Sequence, residues 1–296
     1  MRQSCVHADL PRGGLGNKLL VWARALVFSH LNELPLFVSN WAEVKIGPFL
    51  RNEKCKRQYW GYFNKTNHPS FLRRLSFAMS KCTEAPPLRR VAGSEAKLLY
   101  VFRKLPSWPD YFKDLREFRS LIVDRFYQNV SPKYLSLAQL QDAPVIGVHV
   151  RRSDFREPIA VEVPGNACNI RTSLDYYIRT IQILRDIQGT KLPVTVFTDG
   201  MEAEIAGLLS LPGVKIAPRN PDIVDLLLLS RSRYIVVSPG SSFSYWAAFV
   251  SDAPVITHSS FKMRIRSDEE EFFEGPVETF DPILWLGSRV CQERSL

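Results

Sequence analysis

Apolar stretches and amphipathic segments alternate through the second half of the chain. Five short stretches have the length and the β-branched content of buried strands. They span residues 145–150, 194–198, 214–217, 234–237 and 254–257. The first four are followed by segments with apolar residues at helical spacing, at 173–187, 201–209, 221–230 and 242–250. This alternation predicts a doubly wound parallel sheet.

The first half opens with a similar unit but soon loses its regular pattern. We predict a strand at residues 4–8, a glycine-rich turn at 12–17, a helix at 18–31 and a strand at 34–39. Residues 42–105 are basic and interrupted by proline. Their aromatic cluster, residues 60–63, suits either a core or a platform for a sugar ring. Two further helices are predicted at 110–129 and 131–141.

Length and composition define the class of protein. A chain of 296 residues with 45% hydrophobic and 11% aromatic residues is typical of a globular protein of about two domains. Proline and polar residues at 141–144 mark the boundary, so we predict an N-terminal α/β domain at 1–142 and a C-terminal domain at 143–296.

The net charge of +9 calls for anionic partners. Nucleic acid is one option, but the lysines and arginines are dispersed and no aromatic and basic recognition signature accompanies them, so we predict no nucleic-acid partner. An anionic ligand accounts for part of the charge, and a basic face toward an anionic membrane accounts for more.

Neither the N-terminus nor the cysteines indicate export. Residues 1–9 turn polar at once, and no stretch approaches the ~20 apolar residues of a membrane span. We therefore expect a cytoplasmic protein, with the inner membrane surface as a place of peripheral attachment. The five cysteines lack metal-binding spacing, and most of them are interpreted as packing residues: Cys5, Cys55, Cys82, Cys168 and Cys291.

A cluster of charge ends the predicted strand at 145–150. His149 is followed by Arg151, Arg152 and Asp154. Alternation along a strand places His149 and Arg151 on one face and Arg152 on the other. A guanidinium fork at the carboxyl edge of a parallel sheet suits a diphosphate. One arginine would bind phosphate while the other pairs with Asp154 or another acid; a purely structural ion-pair network is the alternative.

Two more strand ends carry polar residues. Asp199 follows the strand at 194–198, where it either faces a ligand or caps the next helix. Residues 238–244 form a turn rich in serine and glycine before a helix, which favours an anion site at the helix N-terminus over ordinary capping. Asp225 begins an apolar helix and would either read a guanine edge or stabilise the helix terminus.

Three ordered motifs resemble those of a known family. Residues 13–17 read GGLGN, residues 149–154 read HVRRSD, and residues 241–248 read SSFSYWAA. These resemble the motifs of the bacterial and plant α-1,2-fucosyltransferases, glycosyltransferase family 11, within the wider α-1,2, α-1,6 and O-fucosyltransferase superfamily. Ser153 stands where the family commonly has glycine, and Tyr245 is an aromatic replacement.

The resemblance implies a fold and a reaction. The fold is α/β of the GT-B type, with two Rossmann-like domains facing a cleft and a doubly wound C-terminal sheet. The reaction transfers L-fucose from GDP-fucose, with inversion, to a galactose-containing oligosaccharide. GDP-fucose is the donor substrate, and neither a cofactor nor a divalent metal is implied. The chain also has no DxD sequence, so arginine and helix dipoles must neutralise the leaving group.

The strand ends and the resemblance together assign the site. Arg151 would hold the β-phosphate and stabilise departing GDP, and His149 would lie beside the diphosphate or the fucose. The glycine-rich loop would approach the donor across the cleft. The acceptor's proton would go to Asp154, Glu157 or Glu162, although Asp154 could instead only orient Arg152. The predicted donor-binding residues besides Arg151 are Gly14, Gly16, Asn17, Arg152, Asp199, Asp225, Ser241, Ser242 and Phe243.

Two alternatives to glycan fucosylation stay open. One is O-fucosylation of a protein acceptor. The other is a non-catalytic protein that binds sugar nucleotides or glycans on the same fold, which would bind GDP without transferring or hydrolysing the sugar.

Overall fold

The computed structural model describes the chain in two compact units. It describes residues 4–42, 58–64, 67–91, 97–106, 110–159, 169–261, 263–267 and 271–283. The first unit comprises residues 1–140 with 221–224 and 264–266, and the second comprises 141–220, 225–263 and 267–296. Each unit contains its own parallel sheet.

The first unit is built on four parallel strands. These are β1 (Cys5–Asp9), β2 (Leu36–Ser39), β3 (Cys82–Glu84) and β4 (Leu99–Phe102), and they lie in the order β2-β1-β4-β3. The first two strands agree with the sequence prediction. The other two come from residues 42–105, where the sequence pattern predicted no strand.

Four α-helices accompany this sheet in the described part of the first unit. They are α1 (Leu15–Leu31), α2 (Phe71–Ala78), α3 (Arg119–Asn129) and α4 (Pro132–Gln139). The prediction of one helix over 110–129 was wrong. The Asp110 carboxylate accepts the Phe112 N–H at 3.2 Å and forms a bidentate pair with Arg116 at 2.8 and 2.9 Å, which builds a turn. The helix begins only after this turn and a short 3-10 segment.

The second unit contains six parallel strands. They are β5 (Ile146–Val150), β6 (Val194–Thr198), β7 (Val214–Ile216), β8 (Tyr234–Val236), β9 (Val255–Ile256) and β10 (Glu274–Gly275), in the order β10-β9-β8-β5-β6-β7. The five predicted strands are present within one or two residues. The sixth has only two residues, which is too short for a hydrophobic period to reveal it.

Helices connect the strands of the second sheet, as predicted. They are α5 (Leu174–Gln188), α6 (Ala206–Leu209), α7 (Asp222–Ser230) and α8 (Ser242–Phe249). The helix predicted at 201–209 is a 3-10 segment, Glu202–Ile205, followed by a single α-turn. Among the described residues, no helix has the length and apolarity needed to cross a membrane.

Strand β5 is the centre of the second sheet. All five of its residues are buried, and it pairs with β6 on one side and β8 on the other. Gly147 allows a close approach at this strand, because an added Cβ would lie 2.9 Å from Leu229 Cδ1. The chain runs from β5 to β7 in one direction and from β8 to β10 in the other. The boundary between β5 and β8 is therefore the topological switch point, where open α/β sheets bind ligands.

Candidate active site

Two loops meet at the switch point of the second sheet. The loop after β5 begins at Arg151, and the loop after β8 contains Ser238. The backbone N–H of Arg151 donates to Ser238 Oγ at 3.3 Å, and Tyr177 donates its hydroxyl to the same oxygen at 2.9 Å. Ser238 and Tyr177 are both fully buried. This network fixes the backbone from which the Arg151 side chain starts.

The Arg151 guanidinium lies between two carboxylates. One terminal nitrogen pairs with Asp199 Oδ2 and the other with Asp154 Oδ1, each at 2.6 Å. The guanidinium carbon lies 5.4 Å from the centre of the Phe155 ring. The side chain keeps 16% of its surface exposed, so it is oriented by its partners yet still reachable from solvent.

Asp199 orients both arginines. Its Oδ1 accepts the backbone N–H of Arg152 at 2.8 Å, while Oδ2 pairs with Arg151. The cap of the following 3-10 segment is Met201, whose N–H donates to Glu204 Oε2 at 2.7 Å. Of the two interpretations of Asp199, the contacts therefore favour a site residue over a helix cap.

Arg152 points into the protein. It is buried, and its guanidinium donates to the Thr172 carbonyl at 2.9 Å. Gly200 makes room for it, because an added Cβ would lie 2.6 Å from Arg152 Cβ. The sequence left open which arginine pairs with Asp154, and in the structure the Asp154 carboxylate binds Arg151. These contacts give Arg152 a supporting position behind the loop.

His149 is a buried, uncharged ring beside the loop. Burial, assisted by the positive charge of Arg151, lowers the pKa of His149 to about 3. Its ring lies 5.1 Å from the Phe243 ring, and in the described part of the chain no group hydrogen-bonds to its Nδ1. At neutral pH this imidazole is a neutral hydrogen-bonding group and a poor proton acceptor.

The buried His149 predicts a pH dependence of stability. Its pKa is about 3 in the folded protein and 6.5 in the reference state, so between these values the unfolded chain binds more protons and stability falls as the pH falls. From pH 7 to 5 the free energy of unfolding should drop about 2 kcal/mol more in the wild type than in His149→Gln. Denaturant unfolding at both pH values measures this, and parallel losses would contradict it.

The third motif forms the start of α8. Ser241 is its extended N-cap residue, and Ser242 and Phe243 are in its first turn. Ser238 donates its N–H to Ser244 Oγ at 3.2 Å, which ties the loop to the helix. The N-terminus of α8 therefore lies in the same loop cluster as Arg151, and an anion site there stays a prediction.

Asp225 lies inside α7 and is partly buried. Asn220 donates its side-chain amide to Asp225 Oδ1 at 3.2 Å, and the same amide group pairs with Gln141. In this hydrogen bond the Asp225 carboxylate accepts from a neutral amide group. A base-reading role for Asp225 stays a prediction.

The glycine-rich motif belongs to the first unit. Gly14 is the extended N-cap of α1, and Gly16 and Asn17 are in its first turn. The next residue, Lys18, is completely buried and donates its ammonium group to the carbonyls of Pro11 at 3.0 Å and Asn40 at 2.6 Å. Sequence reasoning missed Lys18, which fixes the glycine-rich turn. Donor contacts by Gly14, Gly16 and Asn17 stay a prediction.

The three candidate proton acceptors differ in their surroundings. Asp154 contacts Arg151 and is partly exposed. Glu157 pairs with Arg171 at 3.1 Å and is mostly exposed. Glu162 lies outside the described residues. Of the first two, Asp154 is the one in direct contact with the arginine at the switch point.

No cluster of three histidine, cysteine or acidic side chains suitable for a metal ion occurs in the described ranges. Of the five cysteines, the structure describes Cys5 as buried and Cys82 as exposed, both as free thiols. Of the aromatic cluster at 60–63, Tyr62 and Phe63 are buried, whereas Trp60 is 61% exposed.

A doubly wound parallel sheet with an arginine at its switch point defines a class of α/β proteins that bind phosphorylated ligands. The family within this class follows from sequence comparison. The chain belongs to glycosyl transferase family 11, whose sequence profile matches residues 98–272, and it is therefore a glycosyltransferase. No curated protein sequence matches this chain.

Solved structures with the same fold share little sequence with this chain. Fucosyltransferase NodZ from Bradyrhizobium is 14% identical, with a TM-score of 0.52 over 87% of this chain and 96% of its own. POFUT1 in complex with GDP is 13% identical, with a TM-score of 0.52 over 86% of this chain and 98% of its own. This likeness confirms the predicted α/β, GT-B-like fold.

Proposed function

We propose that this glycosyltransferase moves L-fucose from GDP-fucose to a hydroxyl group of a glycan, O2 of a terminal galactose, with inversion and without a divalent metal. The observation that carries the proposal is the Arg151 guanidinium, held at the switch point beside the N-terminus of α8. Support for the donor comes from two proteins of the same fold, NodZ co-crystallised with GDP and POFUT1 in complex with GDP-fucose.

The chemistry assigned to this arrangement is stabilisation of a leaving group. The bond between the fucose anomeric carbon and the β-phosphate oxygen breaks, and its electrons stay on GDP. Arg151 and the dipole of α8 would stabilise the negative charge that develops on that oxygen. Because the chain has no DxD sequence, the proposal assigns this task to fixed protein groups rather than to a metal ion.

The two carboxylates on Arg151 differ in how firmly they are held. Asp199 also accepts the Arg152 N–H and is 17% exposed, whereas Asp154 is 39% exposed. Two carboxylates around one guanidinium leave a net negative charge, which opposes the approach of a diphosphate. We therefore propose that the diphosphate displaces Asp154 while Asp199 keeps Arg151 in place.

Displacement would also activate Asp154 as a proton acceptor. An ion-paired carboxylate is a weak base, because its positive partner stabilises the ionised form. Once the donor has taken its place on Arg151, the Asp154 carboxylate would accept the proton of the attacking hydroxyl as the new C–O bond forms. In this scheme the donor must bind before the acceptor reacts.

The Asp154→Asn variant tests the displacement. Removing the competing charge should tighten GDP binding by about tenfold, since a charged pair between these groups no longer has to be broken. Transfer should fall at least about a hundredfold, because the base is lost. Calorimetry with GDP and a steady-state transfer assay measure both, with Asp186→Asn, at an exposed position of α5, as the matched control that changes neither.

The opposite sign of the binding effect would contradict the scheme. If Asp154→Asn weakens GDP binding, the carboxylate supports Arg151 in the complex rather than competing for it. If the variant retains full transfer activity, Asp154 is not the proton acceptor.

A transfer assay tests the proposed function itself. The protein is incubated with GDP-fucose and lactose in EDTA, GDP release is measured, and the product's linkage and anomeric configuration are read by NMR. The proposal predicts an α-linked fucose on O2 of galactose. GDP binding without transfer or hydrolysis would instead support a non-catalytic binding protein.

A further inference from the structure

Helix α2 of the first unit presents a row of large apolar side chains to solvent. Phe71 is 75% exposed, Leu72 76%, Leu75 49% and Met79, directly after the helix, 90%. Isolated exposed apolar residues are ordinary on protein surfaces, but four within nine consecutive positions form a contiguous patch. We call these four residues the α2 patch.

The patch faces directly away from the protein. At about 100° per residue, its four members cover an arc of about 100° on the helix, and Phe77 lies on the opposite side. Phe77 is buried, with its ring 4.8 Å from that of His7 and 5.6 Å from that of Phe37. The helix is therefore apolar on two opposite faces. Its Phe77 face packs against other described residues of the unit, whereas the α2 patch is exposed to solvent.

The segment that carries the patch is positively charged. Residues 71–81 contain Arg73, Arg74 and Lys81 and no acidic residue. Arg74 and Lys81 are exposed, while the Arg73 guanidinium lies 4.9 Å from the centre of the Phe37 ring on the packed side. Arg74 and Lys81 therefore stand beside an apolar surface with their charges in water.

We propose that the α2 patch docks this enzyme on an anionic lipid membrane. Phenylalanine, leucine and methionine would enter the boundary between headgroups and acyl chains, and Arg74 and Lys81 would contact acidic headgroups. The net charge of +9 over the whole chain favours the same partner. This inference goes beyond the proposed transfer reaction, because it assigns a place of action rather than a substrate.

A protein partner fits the patch less well. A stable protein interface takes about 800 Å² from each partner, which four side chains on a two-turn helix do not supply. A membrane needs no matched shape, and it combines apolar insertion with electrostatic attraction, the two signals that stable peripheral binding requires.

Vesicle co-sedimentation tests the proposal. The whole protein is mixed with vesicles of phosphatidylcholine alone or with about a third phosphatidylglycerol. The wild type should sediment with the anionic vesicles, less at high salt, and little with the neutral ones. Leu72→Ser combined with Met79→Ser should lower the partition coefficient at least about tenfold, and Arg74→Gln with Lys81→Gln should lower it several-fold and flatten its salt dependence.

Leu140→Ser supplies the matched control, because Leu140 is 83% exposed but lies at the end of α4. The Leu140→Ser variant should bind vesicles like the wild type. GDP titration of every variant checks that folding and donor binding are intact. Failure of the wild type to bind anionic vesicles, or equal binding by the Leu72/Met79 variant, overturns the proposal. A wild-type dimer that this variant converts to a monomer, measured by light scattering, would assign the patch to a second copy of the chain instead.

Discussion

An Arg151→Ala variant is expected to lose transfer activity by at least about a thousandfold, measured as kcat/KM for GDP-fucose. The substitution removes the charged group placed to stabilise the leaving diphosphate, and it leaves Asp154 and Asp199 facing each other without their shared cation. GDP binding should weaken in the same variant. Arg151→Lys should recover little, because a lysine ammonium lacks the rigid fork that lets Arg151 hold Asp199 with one terminal nitrogen and offer the other to the diphosphate.

Arg179→Ala is the control for a simple loss of positive charge. Arg179 is in α5, is 70% exposed and pairs with Glu278 at 3.3 Å. It should keep wild-type kcat/KM. An Arg151→Ala protein that unfolds like the wild type yet turns over GDP-fucose at a near-normal rate would remove Arg151 from the mechanism.

Substitution of Asp199 should lower both transfer activity and stability. Asp199→Ala removes the orienting partner of Arg151 and leaves the buried N–H of Arg152 without its acceptor. We expect transfer to fall about a hundredfold and the free energy of unfolding to fall by about 1–3 kcal/mol. Kinetics with GDP-fucose and denaturant unfolding measure the two effects separately.

Asp199→Asn separates the two tasks of this side chain. Its amide oxygen can still accept the Arg152 N–H, so stability should be largely restored. The ion pair to Arg151 is lost, so the transfer defect should persist. Full activity in Asp199→Asn would show that the Arg151 ion pair is dispensable and that Asp199 only supports the backbone.

The sequence predicted the second unit well because its central strands are buried on both faces. Every residue of β5 and β8 is buried, so these strands are mostly apolar. Polar residues that follow a strand, such as Arg151 after β5 and Asp199 after β6, therefore stand out in the sequence. Alternating strands and helices then limit the topology to few choices. The sequence alone therefore placed the residues that follow β5, β6 and β8 on one edge of a single sheet.

The first unit was harder to predict because its strands are short and because a polar side-chain pair determines where one of its helices begins. Strand β3 is exposed throughout its three residues, so no apolar period marks it. The turn that replaces the first half of the predicted 110–129 helix depends on Asp110 binding Arg116. The spacing of apolar residues gives no sign of such a pair, since both residues are polar.

Which side chains pair within the site depends on tertiary contacts, and these cannot be deduced from neighbouring positions in the sequence. Asp154 is close in sequence to both arginines, and only the path of the loop decides that it binds Arg151. Tyr177 and Ser238 are 61 positions apart, and their hydrogen bond exists because α5 packs behind the switch point. Motif reading identified the residues that carry charge but not the hydroxyls that hold them in place.

Isothermal titration with GDP, GDP-fucose and GDP-mannose in EDTA tests the central claim most directly. GDP and GDP-fucose should bind without metal with dissociation constants on the order of micromolar, and Arg151→Ala should weaken this binding. Absence of binding by any guanine nucleotide under these conditions would contradict the proposed donor and leave only the fold and the family.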